Sequence, residues 1–179
     1  MFPITHIGPL TIQTSWLIIL IGLWLGLSIA EKHSLKRGVE PSIVSNLVFI
    51  TIIGGLVTAR LAYVARYFST FISDPASIIL PNLLTVDASA GLVGGALAAL
   101  IYANRKKLSF WQFADALTPL LAVLAISIHL ANFASGHAYG SPTNVPWAID
   151  LWGDRRHPVQ LYELSGAGLT LSILCPSRQ

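Results

Sequence analysis

Five long apolar runs, at about residues 12–30, 43–68, 86–103, 113–133 and 159–175, constrain the fold more than any other feature. A helix needs roughly 20 apolar residues to cross the hydrocarbon core of a bilayer. Helices satisfy their own backbone hydrogen bonds in lipid, and no strand-like alternation competes with them in these runs. The sequence therefore predicts an all-α fold, a polytopic membrane helical bundle with about five transmembrane helices in a single membrane domain over residues 1–179.

The scarcity of charge supports this class. Charged residues make up 11% of the chain and hydrophobic residues 54%, whereas a soluble domain carries about 25% charge. The net charge of +3 comes with short basic clusters between apolar runs, which indicates membrane topology rather than a nucleic-acid partner. Cys175 is the only cysteine, so neither a disulfide framework nor a thiolate metal cluster is expected. The first run is expected to be a retained span, because no small-residue cleavage site follows it.

The basic clusters predict an orientation. Cytoplasmic loops are enriched in Lys and Arg, and the clusters follow the first and third runs, at Lys32, Lys36 and Arg37 and at Arg105, Lys106 and Lys107. The loop over 69–84 contains no Lys or Arg. We therefore expect the N-terminus and the polar loop over 134–158 to lie outside. Small residues in the first three runs are expected to allow close helix packing: Gly22, Gly26, Gly54, Gly55, Gly91, Gly94 and Gly95.

Polar side chains concentrate between residues 128 and 163. Such groups beside a bilayer are costly unless they have partners or a task, so function is expected here. The set comprises His129, Asn132, His137, Arg155, Arg156, His157, Gln160, Tyr162 and Glu163.

The end of this region is its densest part. Pro158 suits the first turn of a helix, which would carry Glu163 into the membrane, where it needs a partner. Arg156 is the expected partner, and an arginine can also hold phosphate with two parallel hydrogen bonds. A helix-entry network without a ligand explains the same residues, and both interpretations stay open.

The histidines have several interpretations. His129 and Asn132 share a helix face at i and i+3, where a neutral histidine can accept a proton or serve structure. His137 follows a glycine in a loop and can be an ordinary exposed histidine. A metal site formed by His129, His137 and His157 is not expected, because their spacing matches no compact ligand motif.

Arg60 lies deep in the second run, with Tyr63 and Arg66 on nearly the same face. A charge at this depth must face the bundle or a wet cavity. Arg60 could bind an anionic lipid headgroup, and the alternatives are snorkelling or an ion pair with Asp87. Arg66 is expected to snorkel to the interface.

Three segments resemble blocks of the prolipoprotein diacylglyceryl transferase family. Arg156 to Glu163, RHPVQLYE, resembles its RHPxQLYE block; Asn132-Phe133 with Gly136 and Gly140 resembles its GRxxNFxNxExxG block; Thr58 to Val64 resembles its GARLGYV segment. The opening IGPL at residues 7–10 also fits. The matches keep the family's order along nearly the whole chain.

The resemblance implies an enzyme of the bacterial plasma (inner) membrane that needs no metal or cofactor. The family transfers a diacylglyceryl group from phosphatidylglycerol to the lipobox cysteine of a preprolipoprotein, and glycerol phosphate leaves. Its partners would be phosphatidylglycerol, the preprolipoprotein signal peptide and the membrane, with no nucleic acid. The expected site residues are catalytic His129 and His137 and lipid-binding Arg60, Asn132, Arg156, His157, Gln160, Tyr162 and Glu163.

Several family positions differ here. The arginine of the GRxxNF block corresponds to His129, the asparagine and the acidic residue of that block to Ser135 and His137, and a histidine of the third span to Ser89. The family continues for further helices, so a divergent, C-terminally shortened member is expected. An alternative is a non-catalytic lipid-binding or assembly protein on the same fold. A small transporter is a third hypothesis, resting on Arg60 and Asp87 but without a symmetric repeat.

Overall fold

The computed structural model describes residues 4–7, 10–72, 75–78 and 85–174, and this part of the chain is mostly helical. It contains a 3-10 helix at Pro75–Ile78 and six α-helices: α1 (Thr14–Lys36), α2 (Pro41–Arg66), α3 (Phe68–Ile72), α4 (Ala88–Arg105), α5 (Phe110–Ser135) and α6 (Val159–Leu174). The prediction of an all-α membrane helical class is confirmed.

Three of these helices, α1, α2 and α5, are long and apolar enough to cross a membrane. The other two predicted spans coincide with α4 and α6, which have 18 and 16 residues. Both are shorter than the roughly 20 residues that a perpendicular span requires. The count of five transmembrane helices and the outside N-terminus therefore stay predictions, and Cys175, at the expected end of the last span, lies outside the described residues.

Two short antiparallel hairpins were not predicted. The first pairs β1 (Ile4–Ile7) with β2 (Leu10–Gln13), so the chain is still extended at residues 12 and 13, where a helix was expected. The second pairs β3 (Ile149–Leu151) with β4 (Asp154–Arg156). Its turn residues Trp152 and Gly153 have φ values of 56° and 85°, as a two-residue hairpin turn requires. Strands of three or four residues are too short to produce a clear alternating pattern.

The chain forms two compact units, one from Met1–Gly38 with Ala114–Gln179 and the other from Val39–Phe113. We call them the outer-segment unit and the central unit by their place in the sequence. The single membrane domain expected from the sequence stays a prediction.

The outer-segment unit packs α1 against α5 through small residues. A Cβ atom built on Gly22 would lie 1.9 Å from Oγ of Ser127, and one on Gly26 would lie 2.9 Å from a methyl carbon of Leu120. At one end Arg37 and Asp115 form an ion pair at 3.4 Å. Glycine is therefore required at both contacts, as the small-residue pattern predicted.

The central unit packs α2 closely against α4. A Cβ atom on Gly55 would lie 3.0 Å from the carbonyl oxygen of Gly91, and one on Gly95 would lie 3.0 Å from the carbonyl oxygen of Thr51. The neighbours are backbone atoms, which cannot rotate away. The glycines of the second and third apolar runs therefore serve helix packing, as expected.

Gly95→Leu should disrupt this packing. Overpacking a close contact costs about 1–3 kcal/mol, so we expect a thermal transition several degrees lower in detergent, measured by circular dichroism. Gly166→Leu is the matched control, because a Cβ atom on that helical glycine meets nothing within 4 Å. Equal transition temperatures for the two variants would contradict the close approach of α2 and α4.

Candidate functional site

The polar residues of the outer-segment unit come together where α5 ends and α6 begins. The connecting segment folds back on β4: the backbone N–H of Thr143 donates to the carbonyl of Arg155 at 2.8 Å, and that of His157 to the carbonyl of Ser141 at 3.2 Å. The N–H of Gly140 donates to the carbonyl of His157 at 3.1 Å. We call this region, residues 129–163, the polar junction.

Gly140 is the closest approach within the polar junction. A Cβ atom there would lie 2.7 Å from both Cβ of His157 and Cγ2 of Val159. Because one of these atoms is a side-chain stem beside the backbone, no rotamer change relieves the clash. Only glycine lets the connecting segment lie against the start of α6.

Arg156 is held on two sides. Its Nη2 donates to Oδ2 of Asp154 at 2.8 Å, and its guanidinium carbon lies 4.8 Å from the centre of the Tyr139 ring. The side chain is 18% exposed, and its buried Nε has no hydrogen-bond partner among the described residues. A buried N–H donor without a partner costs free energy, so Nε is available to an acceptor from outside the chain.

Glu163 pairs with His129 and not, as expected, with Arg156. Oε2 of Glu163 lies 2.9 Å from Nδ1 of His129, although that nitrogen is not aligned for a hydrogen bond. The expectation was wrong because Arg156 finds a carboxylate two residues away in the same hairpin. Glu163, on α6, meets α5 instead.

Gln160 is fully buried and joins α6 to the connecting segment. Its Nε2 donates to the backbone carbonyl of His137 at 2.7 Å, while its Oε1 has no partner within the described part of the chain. Tyr162 forms hydrogen bonds with Trp147 and His157 through its hydroxyl, at 2.7 and 3.2 Å. Gln160, Tyr162 and Glu163 were expected to orient Arg156, and all three are engaged elsewhere.

The remaining predicted residues of the polar junction lie near the end of α5. Asn132 accepts the backbone N–H of His137 at its carbonyl, at 2.9 Å. Nδ1 of His137 lies 2.9 Å from Oγ of Ser135. Within the described residues, no group of three or more His, Cys, Asp or Glu side chains is arranged to hold a metal ion.

Some residues of the polar junction were missed by sequence reasoning. Tyr139 and Asp154 hold Arg156, Ser135 contacts His137, and Trp147 contacts Tyr162. One signal was present for Asp154, because residues two apart on a strand point to the same face. No comparable sequence signal identifies the aromatic partners, which come from a loop.

Arg60 belongs to the central unit, and its guanidinium is bound by that unit's own connecting segment. Nε donates to the carbonyl of Ile78 at 3.1 Å, Nη1 to the carbonyl of Thr85 at 2.8 Å, and Nη2 to the carbonyl of Ser77. Phe71 lies against the guanidinium, with its ring centre 5.4 Å away. Arg60 therefore organises this segment, a role that was not anticipated.

The ion pair with Asp87 is made by Arg66, at 2.8 Å, and not by Arg60. Asp87 also caps α4, where it accepts the backbone N–H of Ala90 at 3.1 Å and the hydroxyl of Ser89. The carboxylate lies at the end of α2 that carries Arg66, which explains why that arginine reaches it. Arg66, expected only to snorkel, thus has a specific partner.

Gln160→Leu should loosen the polar junction. The change leaves the carbonyl of His137 without its donor, and an unsatisfied buried group costs about 1–3 kcal/mol. We expect a lower thermal transition and earlier protease cleavage between α5 and α6. Ser165→Ala is the control on the same helix, since its hydroxyl bonds only to the carbonyl of Leu161. Unchanged stability of Gln160→Leu would show that this bond contributes little.

The comparisons with known proteins agree with these motifs. The family model described as prolipoprotein diacylglyceryl transferase matches residues 3–178. A relative in Trichormus variabilis named phosphatidylglycerol–prolipoprotein diacylglyceryl transferase is 33% identical over 170 residues, which cover 89% of this chain and 60% of the relative.

Relatives of the same name occur in more distant bacteria. The Bordetella parapertussis protein is 32% identical over 94% of this chain and 68% of its own length. The Clostridioides difficile protein is 33% identical over 85% of this chain and 62% of its own length. The chain thus spans about 60% of the length of the cyanobacterial relative. It belongs to the prolipoprotein diacylglyceryl transferase family.

Proposed function

We propose that this chain transfers a diacylglyceryl group from phosphatidylglycerol to the lipobox cysteine of a bacterial preprolipoprotein. The single observation that carries the proposal is the match to the family over residues 3–178. The names of the relatives state both substrates, phosphatidylglycerol and prolipoprotein. The partially satisfied guanidinium of Arg156 supports a phosphate-bearing substrate.

The reaction requires a base and a fixed positive charge. The cysteine thiol loses its proton to the base, and its sulfur forms a bond to the terminal glyceryl carbon of the diacylglyceryl group. The bond from that carbon to the phosphate oxygen breaks, and the electron pair leaves with glycerol phosphate. Positioned bases and preorganised donors are the main ways in which a protein accelerates such a step.

Arg156 is the proposed phosphate residue of the outer-segment unit. Tyr139 and Asp154 hold its guanidinium in place, so little side-chain entropy is lost when phosphate binds. Its unpartnered Nε adds a donor to the charge. Asn132, His157, Gln160, Tyr162 and Glu163 complete the proposed lipid-binding set, together with Arg60 of the central unit.

His129 and His137 are the proposed acid–base residues. His129 lies 2.9 Å from the carboxylate of Glu163, which can accept or orient a proton on the imidazole. His137 is exposed at the end of α5, where a peptide substrate can reach it. The reaction as written consumes no electrons and needs no cofactor.

The proposed location is the bacterial plasma membrane, with α1, α2, α4, α5 and α6 crossing it and the N-terminus outside. The Lys and Arg residues that follow α1 and α4 support this orientation, because cytoplasmic loops are enriched in both. Exposed Trp147 and Trp152 suit the interface on the outer side.

The direct test uses the purified chain in detergent with a synthetic lipobox peptide and phosphatidylglycerol. Mass spectrometry should find the peptide with one added diacylglyceryl group, together with released glycerol phosphate. A peptide with serine in place of the lipobox cysteine is the control for thiol chemistry. Retention of phosphatidylglycerol without any modified peptide would remove the transferase proposal and favour the non-catalytic lipid-binding alternative.

Arg156→Lys should weaken the reaction more than a change of charge would. Lysine keeps the charge but loses the planar fork and the contact with Tyr139. A lost charged hydrogen bond is worth about 1.5–3 kcal/mol, so we expect kcat/KM for the lipobox peptide to fall about 10- to 100-fold. Arg155→Lys is the control, since that exposed side chain contacts only the carbonyl of Val145, at 3.3 Å. Equal losses in both variants would exclude a specific role for Arg156.

A further inference from the structure

We propose that His137 and His157 are held in opposite tautomers: His137 with a bare Nε2 that accepts a proton, and His157 with an Nε2–H that donates one. Ser135 sets the first tautomer, and Tyr162 together with Trp147 sets the second. Ser135, Tyr162 and Trp147 would then be positioning residues. The catalytic meaning of this arrangement rests on the proposed function, whereas the tautomers themselves do not.

The tautomer of His137 follows from the hydrogen bonds of Ser135. Oγ of Ser135 lies 2.9 Å from the carbonyl oxygen of Ala131 and 3.2 Å from that of Asn132. Carbonyl oxygens only accept, so the single hydroxyl proton points to them. Oγ therefore presents a lone pair to Nδ1 of His137, 2.9 Å away. Nδ1 must carry the proton, and a neutral imidazole then has a bare Nε2.

The tautomer of His157 follows from Trp147 by the same reasoning. The indole Nε1–H can only donate, and it donates to the hydroxyl oxygen of Tyr162 at 2.7 Å. The phenolic proton of Tyr162 then finds its acceptor in Nδ1 of His157, 3.2 Å away. Nδ1 is bare in this arrangement, so the proton of the neutral ring sits on Nε2.

The reverse arrangement at His157 is less favourable. If Nδ1 donated to Tyr162, the hydroxyl oxygen would receive two donors, and the phenolic proton would have no acceptor among these three groups. The ring contact between His157 and Tyr162, with centres 6.2 Å apart and planes at 61°, fixes their relative orientation in either case. The hydrogen-bond directions therefore decide the tautomer.

Both histidines are tied to one hydrogen-bonded frame. The carbonyl of His137 accepts Nε2 of Gln160 at 2.7 Å, and the carbonyl of His157 accepts the N–H of Gly140 at 3.1 Å. The two rings therefore belong to the same polar junction.

Opposite tautomers suit the two proton tasks of the transfer. A bare Nε2 on His137 can take the proton of the cysteine thiol as sulfur bonds to the glyceryl carbon. The Nε2–H of His157 can donate a hydrogen bond to the phosphate oxygen that receives the electron pair of the breaking bond. One histidine thus acts as base and the other as donor, without any change of net charge in the resting site.

The test is nitrogen-15 NMR of the full chain in detergent micelles, with all histidines labelled, at a pH at which the imidazoles are neutral. The chain has 5 histidines, and His137→Gln and His157→Gln identify the two of interest. Ring nitrogens with and without a proton have well-separated shifts. We expect a protonated Nδ1 in His137 and a protonated Nε2 in His157. The same tautomer in both rings, or rapid averaging in both, would overturn the proposal.

Two variants test the positioning residues. Ser135→Ala should convert His137 into a mixture of tautomers, and Ser135→Thr should restore the wild-type spectrum because it keeps the hydroxyl. Tyr162→Phe should shift the unprotonated Nδ1 resonance of His157. Ser172→Ala and Tyr67→Phe are the controls and should leave both rings unchanged. A His137 spectrum that does not respond to Ser135→Ala would contradict the role of Ser135.

Kinetics separate this inference from the proposed function. If both hold, Ser135→Ala should lower kcat for the lipobox peptide about tenfold, a modest part of what general base catalysis contributes, with KM for phosphatidylglycerol within twofold. Expected tautomers without any transfer would refute the proposed function alone. Transfer by a chain with the wrong tautomers would refute the inference alone.

Discussion

The structure depends on one constraint: a polar group in apolar surroundings must find its partner within the protein. In a chain that is 54% hydrophobic, this constraint explains most of the specific contacts. Arg60 is bound by backbone carbonyls of its own unit, Arg66 by Asp87, and Gln160 binds the carbonyl of His137. Each contact fastens a connecting segment to a helix end.

The same constraint gives meaning to the exceptions. Nε of Arg156 and Oε1 of Gln160 are buried without partners among the described residues, and both belong to the polar junction. Elsewhere in that region donors and acceptors are matched closely enough to imply the proton positions on His137 and His157. A site in which most groups are satisfied while one guanidinium nitrogen stays open suits an anionic ligand.

The general architecture could be predicted because it depends on lengths and on apolar composition. Helices α1, α2 and α5 are visible as apolar runs, and Gly22, Gly55 and Gly95 could be assigned to packing, since small residues in such runs have few other roles. The two hairpins could not be predicted. Their strands are three or four residues long, so turn geometry and pairing, rather than a periodic pattern, decide them.

For the polar junction, the sequence by itself determined which residues are present and the family to which they point. The order of RHPVQLYE and Asn132-Phe133 carries that information without coordinates. Only the tertiary structure decided the pairing: Glu163 with His129, Arg156 with Asp154 and Tyr139, and Tyr162 with Trp147. Charge attraction does not distinguish one carboxylate from another in sequence. Distance makes the choice, and the distances are set by how the connecting segment folds onto β4 and α6.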